Sequence, residues 1–568
     1  MSNSALYSCI GCGLRIGEQL SSTNEPPSCM ILDALSKSND PPPPLEYDHL
    51  KQRYRETQSR VTSLSSQISR LGNSIKVLLA EQKKLKERLV AWKGLLHPIR
   101  RLPDDVLAYI FQTCVELDFD YLLGIDSDDS DRYPGMLDTG RSPWVLGQVC
   151  RRWRSLTLSL PQLWTYFDIG WKYTDEDTMY GTCFEPLLAL QLQRCRDLPL
   201  TVSYYGEELD GQYASKQRLL MVLCSRSFQW ANATIRGDTA GLNHLLPYRG
   251  LFPYLRQLHL YLEEDRWNDE DEEAYVFQDT PSLQQVTIAG DHGTFTSTSA
   301  QLPWTRITHY TSKECDEIQY KLLNNVHFRL LPKMPNLRIC GLDCVDAMTG
   351  VDDPIEAPRA SLKLSFLHTL VLTCHEIEDS EPSSIGQLLD WLVLPNLQCL
   401  KLLDGFRTPD SLLGLLQRSS CTLLELEIID ARLGGPQLNL VIGFHKLQDL
   451  HTLVIGKYKD HMSASISDAS LKRLKLVWSG KHKSIILPKL QHLVLHGRKR
   501  WTDEVLVDVA ASRRDLTAFG ISAGSVARLE SLVIHDAVLE GEAALVSQVA
   551  QDRLQVLQEG GLLFECRS

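Results

Sequence analysis

LRICGL at residues 337–342, LHTLVL at 367–372 and LQCLKL at 397–402 follow one another at intervals of thirty residues. Each hexamer is apolar at its first, fourth and sixth positions. Working outward, the template recurs as LRQLHL (Leu255–Leu260), LQQVTI (Leu283–Ile288), LLELEI (Leu423–Ile428), LHTLVI (Leu450–Ile455), LKRLKL (Leu471–Leu476), LQHLVL (Leu490–Leu495), LTAFGI (Leu516–Ile521) and LESLVI (Leu529–Ile534). WANATI from Trp230 and ITHYTS from Ile307 are weaker copies. The alternation in the second half of each hexamer predicts a short strand with every other residue buried. Segments such as SIGQLLDWLVLP (384–395) and TPDSLLGLLQRS (408–419) predict helices or turns between the strands. One such unit cannot cover its own apolar face, so the copies are expected to stack into a curved α/β solenoid over residues 187–568.

Successive hexamers start 13 to 30 residues apart, mostly in or near the period of leucine-rich repeats. The expected fold class is therefore an α/β leucine-rich-repeat solenoid, or horseshoe. Upstream, a different period holds. Leu50, Tyr54, Thr57, Val61, Leu64, Ile68, Leu71, Ile75, Leu78, Gln82, Leu85, Leu89 and Trp92 follow alternating steps of four and three. Such spacing, with only Thr57 and Gln82 polar, predicts a coiled-coil helix over 49–93, ended by Gly94 and Pro98. It leaves open whether the helix pairs with itself or with another protein. Residues 1–48, with Pro41–Pro44 near their end, read as a poorly ordered tail.

Composition bounds the function. The chain has 568 residues, 43% hydrophobic and 23% charged, an ordinary globular balance too long for one core. A net charge of −12 argues against sequence-independent nucleic-acid binding. No apolar run is long enough to cross a membrane, and the first residues do not read as a secretory signal. Fifteen scattered cysteines, several in slots a small hydrophobe would fill (Cys150, Cys340, Cys399), suit a reducing compartment, so a cytoplasmic or nuclear location is expected.

Between coiled coil and repeats lie LLHPIRRLPDDVLAYIFQTC (95–114) and SPWVLGQVCRRWRSLTLSLPQLW (142–164). The combination Leu102-Pro103, Val106-Leu107, Ile110-Phe111, then Leu146, Val149-Cys150, Arg151, Trp153, Arg154 and Trp164 resembles the F-box proteins. The likeness is strongest to a large fungal group with an N-terminal coiled coil and a C-terminal repeat array. By its own chemistry the segment, 97–168, reads as a small all-α docking module. Pro103 is placed to open a helix at its first position, and Asp104 and Asp105 lie at the positive dipole end. Val106, Leu107, Ile110 and Phe111 are expected to share an apolar face.

The resemblance implies docking to a Skp-type adaptor, and through it to a cullin-RING ubiquitin ligase. It implies Leu102, Pro103, Val106, Leu107 and Ile110 as adaptor-contact residues, and Val149 and Trp153 as interface or module core. The competing reading makes this segment the N-terminal cap of the solenoid. An acidic insertion, about 118–142, separates the two halves, with six aspartates and no basic residue in 118–131; it reads as a solvated loop.

Other chemistry is weaker. Cys9, Cys12 and Cys29 lack a clear fourth zinc ligand. Gly520-Ile521-Ser522-Ala523-Gly524 matches the nucleophile-elbow string, but the last histidine, His535, is only thirteen residues on, too near for the expected Ser-acid-His order. The acidic run 263–273 reads as a rim loop able to meet a basic partner. The expected function is thus a non-catalytic, cofactor-free substrate-recognition subunit of an SCF-type ligase, with an unknown protein client on the repeats. The alternatives are a repeat scaffold with no ligase link and, more remotely, a hydrolase using Ser522.

Overall fold

The computed structural model describes residues 7–8, 15–16, 37, 41–123, 139–169, 180–206, 213–237, 242, 244–262, 275–290, 301–313, 323–345, 360–375, 384–431, 433–456, 466–476, 485–497, 501–516, 526–535 and 547–567. The chain divides into two compact units, Met1–Pro103 and Asp104–Ser568.

The first unit is dominated by one 53-residue helix, α1 (Pro44–Leu96). Pro44 is its first residue, where a missing N–H costs nothing. The helix runs through Gly94, and it ends only where Pro98 follows the extended His97. It therefore exceeds the expected 49–93 at both ends. Its apolar row is exposed from Tyr54 to Trp92. A two-residue antiparallel pair, Tyr7–Ser8 with Arg15–Ile16, is the one sheet of this unit among the described residues.

The second unit begins with α2 (Asp104–Leu123), a single turn Leu146–Val149, and α3 (Arg151–Ser159). A fourteen-stranded, all-parallel sheet follows, its strands in strict sequence order. They are β1 (Tyr166–Ile169), β2 (Leu200–Gly206), β3 (Trp230–Gly237), β4 (Gln257–Leu262), β5 (Gln285–Gly290), β6 (His309–Lys313) and β7 (Ile339–Val345). β8 (Thr369–His375), β9 (Cys399–Leu403), β10 (Glu425–Ile429), β11 (Thr452–Gly456), β12 (His492–His496), β13 (Ser531–His535) and β14 (Leu563–Arg567) complete it. Helices alternate with many of them: α4 (Tyr180–Cys195), α5 (Tyr213–Cys224), α6 (Leu323–Leu330), α7 (Ser384–Trp391), α8 (Pro409–Ser419), α9 (Gly435–Ile442), α10 (Asp468–Leu474), α11 (Asp503–Arg514) and α12 (Gln548–Glu559). The result is an α/β protein built as a solenoid.

The hexamers explain the sheet. The first leucine of the copies at 255, 283, 337, 367, 397, 423, 450, 490 and 529 is fully buried, two residues ahead of a strand. The fourth and sixth residues align across strands, so Cys340, Leu370, Leu400, Leu426, Leu453, Leu493 and Leu532 form one continuous buried row. The hexamer's second residue supplies the polar lock. The Arg338 carbonyl accepts from the N–H groups of His368 (2.9 Å) and Thr369 (3.2 Å), and the His368 carbonyl accepts from Gln398 and Cys399 (both 2.9 Å). The same double acceptance is made by Arg256, Gln284, Thr308, Gln398, Leu424, His451 and Gln491. Side chains just ahead of the hexamer add rungs: Asn336 donates to the Thr305 carbonyl and Asn396 to that of Ser365.

Three expectations need correction. The sheet starts at Tyr166 rather than 187 and ends with Leu563–Arg567, neither of which carries the full template. LKRLKL is no strand: Leu471 and Leu474 are buried from one side of α10, whose first turn holds Asp468 and last turn Lys472 and Arg473. Leucines three apart suit a helix as well as a strand entry, and these end charges match the helix dipole. The acidic insertion is not all loop either, because 118–123 prolong α2 and Phe119 is buried. Its central residues 124–138 lie outside the described residues, as do 263–273 and 517–521 of LTAFGI.

Arg513 is the counterpart of the missing strand. Its guanidinium is fully buried and donates to the carbonyls of Leu474 (2.6 Å), Leu487 (2.9 Å) and Ile486 (2.7 Å). Burial lowers its pKa to about 10, which still leaves it charged at neutral pH. Substituting Arg513→Ala strands three carbonyls and leaves a cavity, so denaturant unfolding should show a loss of roughly 3 kcal/mol or more. Arg513→Lys, with one point of donation, should fall between that variant and the wild type.

Candidate functional site

Helix α2 has two apolar faces with different fates. Leu107, Phe111, Val115 and Phe119, spaced four apart, are all at most 2% exposed. Phe111 packs its ring 4.8 Å from that of Trp153 on α3, and Phe119 lies 5.0 Å from Tyr166 on β1. This face closes the first end of the sheet. Rotated away from it lie Val106 (40% exposed), Tyr109 (74%), Leu117 (62%) and half-buried Ile110. Positions 106, 110, 113 and 117 fall along one stripe of the helix. The open stripe is therefore apolar at its ends and centre, with Thr113 between.

The supporting wall is rigid. Trp164 is 1% exposed and donates its indole N–H to the Thr157 carbonyl at 3.0 Å. Trp144 meets it edge-on at 5.0 Å, and the Arg194 guanidinium of α4 lies 4.9 Å from the Trp144 ring and 4.3 Å from the Trp164 ring. Asp104 accepts twice from Arg152, Nε at 2.9 Å and Nη2 at 2.6 Å, joining α2 to α3 at the surface. Asp118 accepts from the Ser142 N–H at 3.1 Å, which ties together the two ends of the insertion.

The residues singled out by sequence thus separate. Val106 and Ile110 sit together on the open stripe. Val149, 59% exposed, ends the short turn before α3. Trp153 is half-buried against Phe111, and so acts partly as core. Leu107 is at 0% exposure; it holds the module together and presents no surface, a correction to its placing among contact residues. In the first unit, Leu102 is half-buried and extended, and Pro103 is exposed and immediately precedes α2 instead of starting it. Cys150 is a further correction: it is exposed and caps α3, its sulfur accepting the Trp153 N–H at 3.5 Å, instead of filling a core slot. Sequence reading missed Tyr109 and Leu117. Their spacing from Val106 was the available signal, but periodicity does not say which of two adjacent stripes faces inward.

The second surface is the face of the sheet opposite the buried row. In register along it run Asp168, Ser203, Thr234, His259, Thr287 and Thr311, then Gly341, Val371, Lys401, Glu427, Val454, Val494, Val533 and Glu565. The first part is hydroxyl-rich, and half of the later part is valine. Lys401 bridges Glu427 at 2.7 Å and Glu425 at 3.5 Å. At the row's edge, His496 stacks on His535 at 4.5 Å, and burial chiefly lowers its pKa. Gly456 permits this, since a Cβ there would meet the His496 Cβ at 2.2 Å.

The chain matches no family model and none of the curated proteins compared with it. The F-box likeness therefore rests on the residues quoted above. Among the described residues no group of three or more His, Cys, Asp or Glu is placed to hold a metal, and no helix is long and apolar enough to cross a membrane. Cys9, Cys12, Cys29 and Ser522 lie outside the described residues.

Asp168 gives the sheet face a pH dependence. Burial raises its pKa to about 7, against the opposing effects of the Ser203 hydrogen bond and the charges of Arg236 and Arg141. A folded pKa above the unfolded value means stability that is complete below about pH 4 and lost as pH rises through about 7. The unfolding free energy of the wild type should therefore fall across pH 4–8 by a few kcal/mol, at most ~4, relative to Asp168→Asn. Urea unfolding of both proteins at each pH checks this.

Proposed function

We propose that the chain is a non-catalytic substrate-recognition subunit of an SCF-type cullin-RING ubiquitin ligase. The observation that carries this reading is the division of α2. Its Leu107–Phe119 row is consumed in closing the sheet, while Val106 and half-buried Ile110, two of the residues for which the F-box resemblance implies adaptor contact, stay at the surface beside exposed Tyr109 and Leu117. An exposed apolar stripe on a helix whose other side is rigidly packed is suited to docking. The repeats, read as leucine-rich repeats of a horseshoe, present the open sheet face to a protein client. Half-buried Thr287 and Thr311 and the Lys401–Glu427 pair offer polar recognition, and the adjoining valines offer apolar contact. Helix α1 serves as a coiled-coil strand. Ubiquitin transfer belongs to other subunits, and the contribution of this chain is proximity between ligase and client. The assembly would act in the cytoplasm or nucleus.

A second reading is favoured by the same packing. With Phe119 on Tyr166 and Arg194 on the two tryptophans, the helical segment already works as the end cap of a repeat scaffold that needs no adaptor.

Co-purification of the full chain with a Skp-type adaptor separates the two. The wild type should capture the adaptor stoichiometrically, and Val106→Asp/Ile110→Asp should lose at least ~100-fold in affinity, about 2.7 kcal/mol, with unchanged circular dichroism. Leu107→Asp is unsuitable because it would unfold the module. Absence of capture by the wild type would leave the scaffold reading.

A further inference from the structure

The apolar row of α1 divides by side-chain shape. Written as heptads, Val61, Ile68 and Ile75 fall at a positions, and Leu64, Leu71, Leu78 and Leu85 fall at d. β-Branched residues at a with leucine at d favour two parallel strands, because a packs on a and d on d. In an antiparallel pair each layer would join an a residue to a d residue, and the segregation would have no consequence. All seven side chains are 39% to 68% exposed. Within this row Gln82 is the one polar a residue among its aliphatic neighbours Ile75 and Leu89. A primary amide both donates and accepts, so it can pair with its own copy only if the two helices are in register.

We infer that α1 pairs with α1 of a second copy of this chain, as a parallel, in-register, two-stranded coiled coil with Gln82 facing Gln82. The inference rests on the coiled-coil reading above and adds its partner, direction and register. Charge is compatible with self-pairing: Glu81 at g faces Lys86 at e of the other strand, an attraction that offsets the repulsion of Arg88 and Lys93 one heptad on. The area is sufficient. From Leu50 to Trp92 the row spans about 60 Å, and a strip ~10 Å wide on each helix gives roughly 1,200 Å² in all, the lower bound of a stable interface. Paired receptors would present two sheet faces to one client or to two identical motifs.

The test uses the full chain at micromolar concentration. Light scattering after gel filtration should give twice the 64.3 kDa chain mass, and Ile68→Asp/Ile75→Asp should return it to one chain. Gln82→Cys, under mild oxidation, should convert most of the protein to a dimer band on a non-reducing gel, well beyond any band that the native cysteines, exposed Cys150 and Cys566 among them, give in the wild type treated in the same way. A dimer that survives Ile68→Asp/Ile75→Asp, or one in which Gln82→Cys fails to cross-link, overturns the proposal. So does a monomeric wild type, and thiol labelling of Leu71→Cys then assigns the failure. Fast labelling leaves a row open for a different helix, so that only self-pairing falls; slow labelling means that the row is covered within the chain, and the coiled-coil reading falls with it.

Discussion

The carbonyl just ahead of each strand from β4 to β12, accepting two N–H groups from the next repeat, is the constraint on which the solenoid depends. Beneath it sits a fully buried leucine, the first of its hexamer. Together they set both the spacing and the register of the sheet. The double acceptance joins successive hexamers from Arg256 to Gln491, and the hydrophobic residues two and four places beyond the acceptor then have only one face to enter. A one-residue slip would turn Leu370 and Leu372 outward and bring Val371 in. Loops of very different length can separate the strands because none of them takes part in this lock. The 40 residues from Leu450 to Leu490 span a single repeat, with α10 packed inside the connection.

A parallel sheet of this kind has two ends that other parts of the chain must finish. At the first, α2 sets Phe119 against Tyr166 of β1, with α3 packed on α2 through Trp153 and the Trp144–Trp164 pair held by Arg194 of α4. Near the last, Arg514 donates to the Leu529 carbonyl at 3.1 Å and also to that of Gly560, which holds α11 against the turn before β14. Capping at the first end and adaptor docking are compatible, since they draw on different stripes of the same helix. A helical segment fused in this way would hold any partner docked on its open stripe in a defined direction relative to the repeats, as the proposed positional mechanism requires.

The open sheet face changes character along its length. Near the cap, Asp168, Ser203 and Thr234 are buried polar groups, and Arg236 lies 4.9 Å from the Tyr261 ring. Farther on come Val371, the Lys401–Glu427 pair, then Val454, Val494 and Val533 in succession, with the stacked histidines beside the last two.

The sequence by itself determined the repeat, because leucines at the first, fourth and sixth places of a hexamer are dictated by burial of a strand entry and carry the same signature wherever they occur. It also determined α1, whose thirteen slots hold their spacing without interruption by proline. Tertiary structure alone decided the exceptions. LKRLKL became mostly helix, and the carbonyl of Leu474, its last helical residue, is taken by the buried guanidinium of Arg513. β1 and β14 joined the sheet through pairing with neighbours, their own sequences being too short of leucine to announce it. Leu107 went inside and Val106 outside, although they are adjacent and alike in chemistry. The helix can turn either stripe toward β1, and only the positions of Trp153 and Tyr166 settle which one is covered.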